Sequence, residues 1–275
     1  MPTLQLSDKL TIHYCDQNNA GSPIILLLHG LGVNSESWGM QTPALEGAGF
    51  RILIPDIRGF GKSSYPGGSV SIRDLAGDMA QVMAAAGVCT AAVVGISMGG
   101  CIALQMALDE PRLVSKLALI NTFSCLRPKN VGAILYFATR LFLAHAIGVE
   151  AQARAVAQHL FPRAEDETLR ALFIEQISQA DPAGYRATMR ALARFDVTPH
   201  LSGIHTPTLM ITGEQDTTVP REMQNELAKR IPNAWQKIIP SAGHAVTVEK
   251  PEEINRILID FINPNSRGEV AALPY

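Results

Sequence analysis

The stretch from Ala91 to Ala103 constrains the fold of this chain more than any other part of the sequence. It predicts a short apolar strand over Ala91–Val94, a very tight turn and the start of a helix. Ser97 lies at the apex of that turn, inside Gly95-Ile96-Ser97-Met98-Gly99, which matches the G-x-S-x-G pattern of a nucleophile elbow. The pattern alone also suits a structural turn or a phosphate-binding loop. The strand before it and the helix after it favour the catalytic interpretation.

Steric constraints explain why glycine stands at both positions flanking Ser97 in the elbow. A serine in this turn must hold a strained backbone conformation to project its hydroxyl away from the sheet. Side chains at Gly95 and Gly99 would then collide with the neighbouring strand and helix. The helix that follows also directs the positive end of its dipole at Ser97, where an oxyanion would form.

Strand and helix patterns alternate along most of the chain. Residues from Leu4 to Asp16 alternate between apolar and polar, which predicts a hairpin or edge strands. Ile24–Leu28 is a short apolar run typical of a strand buried on both faces, and Arg51–Pro55 is the next buried strand. Further strands are predicted over Val114–Ile120, Thr208–Thr212 and Ala234–Ile239. Helices are predicted over Ser37–Ala48, Ser71–Ala86, from the elbow to about Asp109, Arg221–Arg230 and Pro251–Phe261. This alternation predicts an α/β fold with a mostly parallel, doubly wound sheet.

The alternation breaks between residues 121 and 200, where helical patterns dominate and no convincing buried strand is found. We therefore predict a core formed by residues 1–120 and 201–262, a helical cap inserted over 121–200, and a loose tail over 263–275. Val131–Val149 is nearly long enough to span a bilayer, but Arg140 and His145 interrupt it. One or two lid helices are the better interpretation, and no stable membrane span is predicted.

A serine nucleophile needs a histidine base, which a carboxylate must orient. Asp216 follows the predicted strand Thr208–Thr212, and His244 follows the predicted strand Ala234–Ile239. Both would lie at the carboxyl edge of the sheet, where ligands bind in open α/β folds. Glu214 is the competing acid, but it lies too close to its strand end. We therefore predict a triad of Ser97, Asp216 and His244, an order that the chain shares with known serine hydrolases.

The oxyanion hole is expected to use two backbone N–H groups. One is that of Met98, and the other comes from the His29-Gly30-Leu31-Gly32 loop, most plausibly from Leu31. The side chains of Leu31 and Met98, together with Val219 and Ala245, are expected to shape the substrate pocket. His29 is assigned a structural hydrogen-bonding role.

Composition and motifs exclude several other classes of protein. The formal net charge of −2 over 275 residues argues against a nucleic-acid-binding protein. Gly61-Lys62-Ser63 resembles the end of a P-loop, but Asp56 stands where the first P-loop glycine would be. The four cysteines lack metal-like spacing, and no metal or organic cofactor is implied. No secretory signal is evident, so we expect a cytoplasmic location. Nothing in the sequence predicts the oligomeric state.

Taken together, these motifs resemble the α/β-hydrolase superfamily, in its serine-nucleophile branch. The matching residues are His29-Gly30-Leu31-Gly32, Asp56-x-Arg58-Gly59-x-Gly61-x-Ser63, Gly95-x-Ser97-Met98-Gly99-Gly100, Gly213-x-x-Asp216 and Gly243-His244. The resemblance implies a small carboxylesterase, a cofactor-free haloperoxidase-like hydrolase, an enol-lactonase or a carbon–carbon bond hydrolase. Branches with an aspartate nucleophile are set aside because Ser97 occupies that position.

The expected activity is hydrolysis of a small carboxylic ester with a moderately apolar acyl or alcohol part, through an acyl-enzyme. Two alternatives stay open. The first is a lactonase or carbon–carbon hydrolase that uses the same triad. The second is a hydrolase-like receptor that binds a small ligand under the cap.

Overall fold

The computed structural model describes residues 2–126, 131–162 and 166–263. Its centre is a sheet of eight strands, in the spatial order β1-β2-β4-β3-β5-β6-β7-β8. The strands are β1 Thr3–Ser7, β2 Leu10–Gln17, β3 Ile24–Leu28, β4 Arg51–Pro55, β5 Ala91–Ile96, β6 Val114–Ile120, β7 Thr208–Gly213 and β8 Ala234–Ile239. β1 and β2 pair antiparallel, and β2 runs antiparallel to β4, whereas all other neighbours are parallel. The predicted α/β fold class is confirmed.

Helices cover both faces of the sheet. They are α1 Thr42–Gly47, α2 Ile72–Ala85, α3 Met98–Asp109, α4 Val131–Phe142, α5 Val149–Leu160, α6 Glu167–Ser178, α7 Pro182–Arg194, α8 Arg221–Arg230, α9 Val246–Glu249 and α10 Pro251–Ile262. In β3, Leu26 and Leu28 pack into the core beside α2 and α3, while Ile25 and Leu27 pack into the core beside α1 and α10. This period of two explains why the run is apolar throughout.

One predicted helix is broken in the structure. Residues Ser37–Ala48 do not form a continuous helix, because a 3₁₀ turn over Ser35–Trp38 ends before α1 begins at Thr42. Asn34 caps the 3₁₀ turn by accepting a hydrogen bond from the Glu36 amide at 2.9 Å. Pro43 lies in the first turn of α1, where a proline favours the start of a helix. The predicted helix is therefore two separate elements, each with its own N-terminus.

The chain between β6 and β7 carries α4, α5, α6 and α7, which we call the inserted helices. Within the described parts of 121–200, the β-type pairing is an isolated bridge between Cys125 and Asp196. The segment Val131–Val149 forms α4, a π-helical turn over Leu143–Ile147, and the first residue of α5. No helix in the described residues is long and apolar enough to cross a membrane. Residues 264–275 of the predicted tail lie outside the described part of the chain.

Candidate active site

Ser97 occupies the strained turn that its sequence context predicts. Its backbone dihedrals are φ 54° and ψ −113°, a left-handed conformation that is costly for a residue with a side chain. Two hydrogen bonds hold it there: its N–H donates to the Ile120 carbonyl at 2.9 Å, and its carbonyl accepts from the Thr122 hydroxyl at 2.6 Å. A Cβ at Gly95 would collide with the Gly99 carbonyl, and one at Gly99 with the Leu28 carbonyl. Glycine is therefore required on both sides of the serine.

Asp216 and His244 meet at the carboxyl edge of the sheet. The Nδ1 atom of His244 lies 2.9 Å from Oδ2 of Asp216. The Asp216 side chain is fully buried, whereas the His244 side chain is 11% exposed and lines the same cavity as Ser97. The competing acid, Glu214, is exposed and accepts a hydrogen bond from the Ser241 amide. The geometry therefore favours Asp216 as the partner of the imidazole.

The Asp216 carboxylate is held by more than the histidine. Its Oδ1 accepts hydrogen bonds from the amides of Thr218 and Val219, at 2.8 and 2.9 Å. Its Oδ2 also accepts from the side-chain amide of Gln224 at 3.3 Å. Donors on both oxygens fix the plane of the carboxylate, as an orienting group requires.

Gln224 is a functional candidate that the sequence did not reveal. It is fully buried in α8, and its Nε2 also donates to the Val219 carbonyl at 2.9 Å. Its Oε1 accepts from the Thr212 hydroxyl at 2.9 Å. Gln224 thus joins the end of β7 to both sides of the Asp216 loop. The sequence places Gln224 on the apolar face of a predicted helix, which could have indicated that it is buried. Glutamine is usually a surface residue, so this pattern by itself is not interpreted as functional.

The loop after β3 is held by His29, as its predicted structural role requires. The imidazole is fully buried; its Nε2 accepts from the Ile57 amide at 2.9 Å, and its Nδ1 donates to the Gly30 carbonyl at 2.8 Å. Burial lowers the pKa of His29, which keeps the ring neutral and able to accept. A Cβ at Gly30 would lie 3.9 Å from that of Ser97, so the loop passes directly beside the elbow.

The glycine-rich segment after β4 supports the same loop. Asp56 accepts hydrogen bonds from the amides of Ser35 and Lys62, at 2.8 and 2.9 Å, and contacts Nδ1 of His13 at 3.1 Å. Burial by itself would raise the pKa of Asp56, but these amide hydrogen bonds outweigh it and the pKa is lowered. A side chain at Gly61 would collide with the Asp56 carboxylate. The P-loop-like residues therefore serve a structural turn.

A cavity of about 320 Å³ lies between the strand ends and the inserted helices. Its wall includes Ser97 and His244 together with three of the four predicted pocket residues, Leu31, Val219 and Ala245. Met98 differs from the prediction, because its fully buried side chain packs into the core and is not part of this wall. Met98 can therefore serve the site through its amide alone. The inserted helices contribute apolar side chains to the wall: Leu160, Leu169, Leu172, Phe173, Met189 and Leu192.

Six other residues with a hydroxyl, amide or charged side chain also line the cavity: Glu36, Ser37, Arg140, Gln176, Thr218 and Thr247. Arg140 and Gln176 come from the inserted helices, and Glu36 comes from the loop after β3. Within residues 2–126, 131–162 and 166–263, no three His, Cys, Asp or Glu side chains are grouped to hold a metal ion. Besides Ser97 and His244, the described wall thus includes a cationic side chain, Arg140, and an anionic one, Glu36, in a mostly apolar cavity.

Comparison with known proteins identifies the family. A family model described as "alpha/beta hydrolase fold" matches residues 23–251, most of the chain. The chain belongs to the α/β-hydrolase family. This match spans β3 to β8, the elbow and both loops that carry Asp216 and His244.

The chain is similar to curated bacterial proteins named "Putative carbamate hydrolase RutD". The relative from Variovorax paradoxus (strain S110) is 32% identical over 259 residues, covering 92% of this chain and 96% of the relative. Among solved structures, a hydrolase from Pseudomonas aeruginosa PA01 has a TM-score of 0.86 at 26% identity, covering 95% of this chain and 98% of that one. An enol-lactonase from Burkholderia xenovorans LB400 also has a TM-score of 0.86, at 27% identity, covering 94% and 99%. These likenesses support a hydrolase with a small-molecule substrate.

Proposed function

We propose that this protein is a serine hydrolase of small carboxylic esters that works through an acyl-enzyme. The observation that carries the proposal is the buried Asp216–His244 pair opening on the same cavity as the strained Ser97. An imidazole held by a buried carboxylate on one nitrogen can take a proton from a serine with the other. Ser97, His244 and Asp216 are therefore assigned as nucleophile, general base and orienting acid.

The proposed reaction has two halves. The Ser97 hydroxyl attacks the ester carbonyl while His244 takes its proton, and the amides of Leu31 and Met98 stabilise the oxyanion. His244 then gives the proton to the departing alcohol. A water molecule attacks the acyl-enzyme with His244 again as base, and the acid product leaves. No step in this scheme requires a metal or an organic cofactor.

The cavity supports a substrate that is small and partly apolar. A volume of about 320 Å³ lies at the lower end of the range for ligand pockets. Apolar side chains from α6 and α7, among them Phe173 and Leu192, form its wall opposite the strand ends. We therefore assign an ester with a moderately apolar acyl or alcohol part. A cytoplasmic location stays our prediction, and the four free cysteines are compatible with a reducing compartment.

A carbamate is the second candidate substrate. The relatives named "Putative carbamate hydrolase RutD" cover nearly the whole chain, which favours a carbonyl flanked by nitrogen. The same triad would then form a carbamoyl-enzyme. Because nitrogen donates electron density into the carbonyl, this intermediate should deacylate more slowly than an acyl-enzyme. The enol-lactonase similarity keeps a lactone as a further substrate to test.

A substrate panel tests the proposal. Wild type, Ser97→Ala and a matched control, Ser124→Ala, should be assayed with p-nitrophenyl esters of increasing chain length, a p-nitrophenyl carbamate and an enol-lactone. Ser124 is a buried serine that bonds to Thr198 and is not part of the cavity wall. We expect ester turnover that is lost in Ser97→Ala and kept in Ser124→Ala. Faster turnover of the carbamate or the lactone would reassign the substrate. Ligand binding with no Ser97-dependent turnover would favour a receptor.

A further inference from the structure

Asn121, the first residue after β6, has a conformation and a set of contacts that the triad alone does not explain. Its φ is 45°, an unfavourable value for most residues with a side chain, and its surface is fully buried. Its own amide continues the sheet ladder by donating to the Ile211 carbonyl of β7 at 3.0 Å. Its side chain therefore projects from the centre of the sheet toward the strand-end loops.

The Asn121 side chain joins the two loops that carry Asp216 and His244. Its Oδ1 accepts from the Gly213 amide, at the end of β7, at 2.8 Å. Its Nδ2 donates to the carbonyls of Gly243 and His244, both at 2.9 Å. Both Nδ2 protons of Asn121 are thus used in hydrogen bonds to the backbone of His244 and Gly243.

The two loops joined by Asn121 are packed closely against each other at Gly213. A Cβ at Gly213 would collide with the Gly243 carbonyl, so the end of β7 and the base loop are in direct contact. The next residue of the same strand end, Thr122, donates to the carbonyl of Ser97 at 2.6 Å. Two consecutive residues after β6 therefore contact the nucleophile, the strand that leads to the acid, and the base.

We propose that Asn121 is a positioning residue that fixes His244 relative to Asp216 and Ser97. This inference rests on the proposed function, because it assigns Asn121 to the same triad. The imidazole can rotate about its side chain, but the position of its backbone is set by the two carbonyls that Asn121 holds. A displacement of about 1 Å between reacting groups can cost about 10²-fold in rate. Three hydrogen bonds in a buried site keep that displacement from occurring.

The test uses Asn121→Gly, because glycine accepts the positive φ and deletes only the side-chain contacts. The matched control is Asn18→Gly. Asn18 also has a positive φ, of 53°, and its Nδ2 donates to the Phe50 carbonyl at 2.9 Å. It lies in the turn between β2 and β3, away from the cavity wall. A second variant, Asn121→Asp, keeps an oxygen for the Gly213 amide and removes both donations to the base loop.

Three quantities should be measured in each protein: kcat and KM for one p-nitrophenyl ester, the rate of Ser97 labelling by a fluorophosphonate, and the downfield proton resonance of His244 Nδ1–H. We expect Asn121→Gly to lower kcat and the labelling rate roughly 10- to 100-fold, with KM unchanged within about twofold. The downfield resonance should broaden or move upfield, because the hydrogen bond between His244 Nδ1 and Asp216 would be weaker. Asn18→Gly should change none of these quantities.

The outcomes separate the two claims. If wild type labels and turns over, and Asn121→Gly is folded with the same kcat, labelling rate and resonance, the role of Asn121 is disproved while the proposed function stands. If Asn121→Gly does not fold, Asn121→Asp must show the loss of kcat and labelling, and a wild-type rate in that variant disproves the role. If wild type itself neither labels nor turns over, the proposed function fails.

Discussion

The two walls of the cavity are built by different physical means. One wall consists of the strand-end loops, which follow β3, β5, β6, β7 and β8 and carry Leu31, Ser97, Asn121, Asp216 and His244. Hydrogen bonds between elements distant in sequence hold these groups in place, as between Asp216 and His244 and between Asn121 and His244. The other wall consists of the inserted helices, which contribute mainly apolar side chains.

The inserted helices also leave large apolar side chains in contact with solvent. Exposed examples are Val131 at 80%, Leu135 at 65%, Phe142 at 61% and Leu172 at 54% of their surface. Apolar packing is non-directional and tolerates substitution better than a hydrogen-bond network does. Under the proposed function, the strand-end loops set the chemistry, whereas the inserted helices set which substrate fits. Substitutions in each wall test whether the two walls differ in this way.

The largest effect is expected from Asp216→Asn. The amide keeps the shape of the side chain but turns an N–H toward His244 Nδ1, which favours the wrong tautomer of the imidazole. We expect kcat to fall about 10⁴-fold, measured by steady-state ester hydrolysis. The matched control is Glu214→Gln, at the competing acid, which should keep near wild-type activity. A larger loss in Glu214→Gln than in Asp216→Asn would transfer the role to Glu214.

Replacing Gln224, which supports the Asp216 loop, should lower kcat less than Asp216→Asn does. Gln224→Leu removes the donor to Asp216 Oδ2 and leaves the Thr212 hydroxyl without its acceptor. We expect kcat to fall about tenfold with KM unchanged, and a cost in stability of about 1–3 kcal/mol for broken buried hydrogen bonds. Gln236→Leu is the control, since Gln236 bonds the same Thr212 hydroxyl but does not contact Asp216. Equal losses of kcat in both variants would contradict a specific role for Gln224.

A change in the opposite wall should alter selectivity rather than rate. Phe173 lines the cavity and packs edge-to-face on Phe161, with ring centroids 5.8 Å apart. Phe173→Ala enlarges the cavity, so we expect the chain-length optimum to move to longer acyl groups. The gain in kcat/KM should be about threefold to fourfold per added methylene that is buried, with acetate turnover little changed. Phe142→Ala, at an exposed phenylalanine outside the cavity wall, should leave the profile unchanged. A large loss of acetate turnover in Phe173→Ala would break the division between the walls.

The smallest effect concerns stability against pH. Burial lowers the pKa of His29 below its ordinary 6.5, so the unfolded chain binds a proton there that the folded chain does not. The free energy of unfolding should therefore decrease as the pH falls from about 6.5 toward the folded-state pKa. His29→Gln should reduce this dependence, as measured by urea unfolding at several pH values. His205→Gln, at an exposed histidine, should not. The same pH dependence in His29→Gln and wild type would contradict the buried neutral ring.

The sequence predicts the strands well because strands depend on local patterns. The triad stays a prediction, for which the structure brings Asp216 and His244 into contact at one edge of the sheet. Apolar runs such as Ile24–Leu28 mark strands buried on both faces, and the carboxyl ends of parallel strands meet at one edge. Asp216 and His244 could be found from those two facts. The same reasoning missed Gln224 and Asn121, because their partners are set by the fold; Asn121 and His244 are 123 positions apart. The break between Trp38 and Thr42 was missed because the predicted helix joined two separate elements: a 3₁₀ turn that ends at Trp38 with Gly39 as its C-cap, and α1, which begins next to Pro43.

The most direct test of the central claim is to find which side chain a fluorophosphonate modifies. Wild type, Ser97→Ala and His244→Gln should be labelled, digested and mapped by mass spectrometry. We expect one adduct, on Ser97 in wild type, no adduct in Ser97→Ala, and labelling slowed by several orders of magnitude in His244→Gln. An adduct on another residue, or equal labelling of Ser97 without His244, would contradict a serine nucleophile activated by the Asp216–His244 pair.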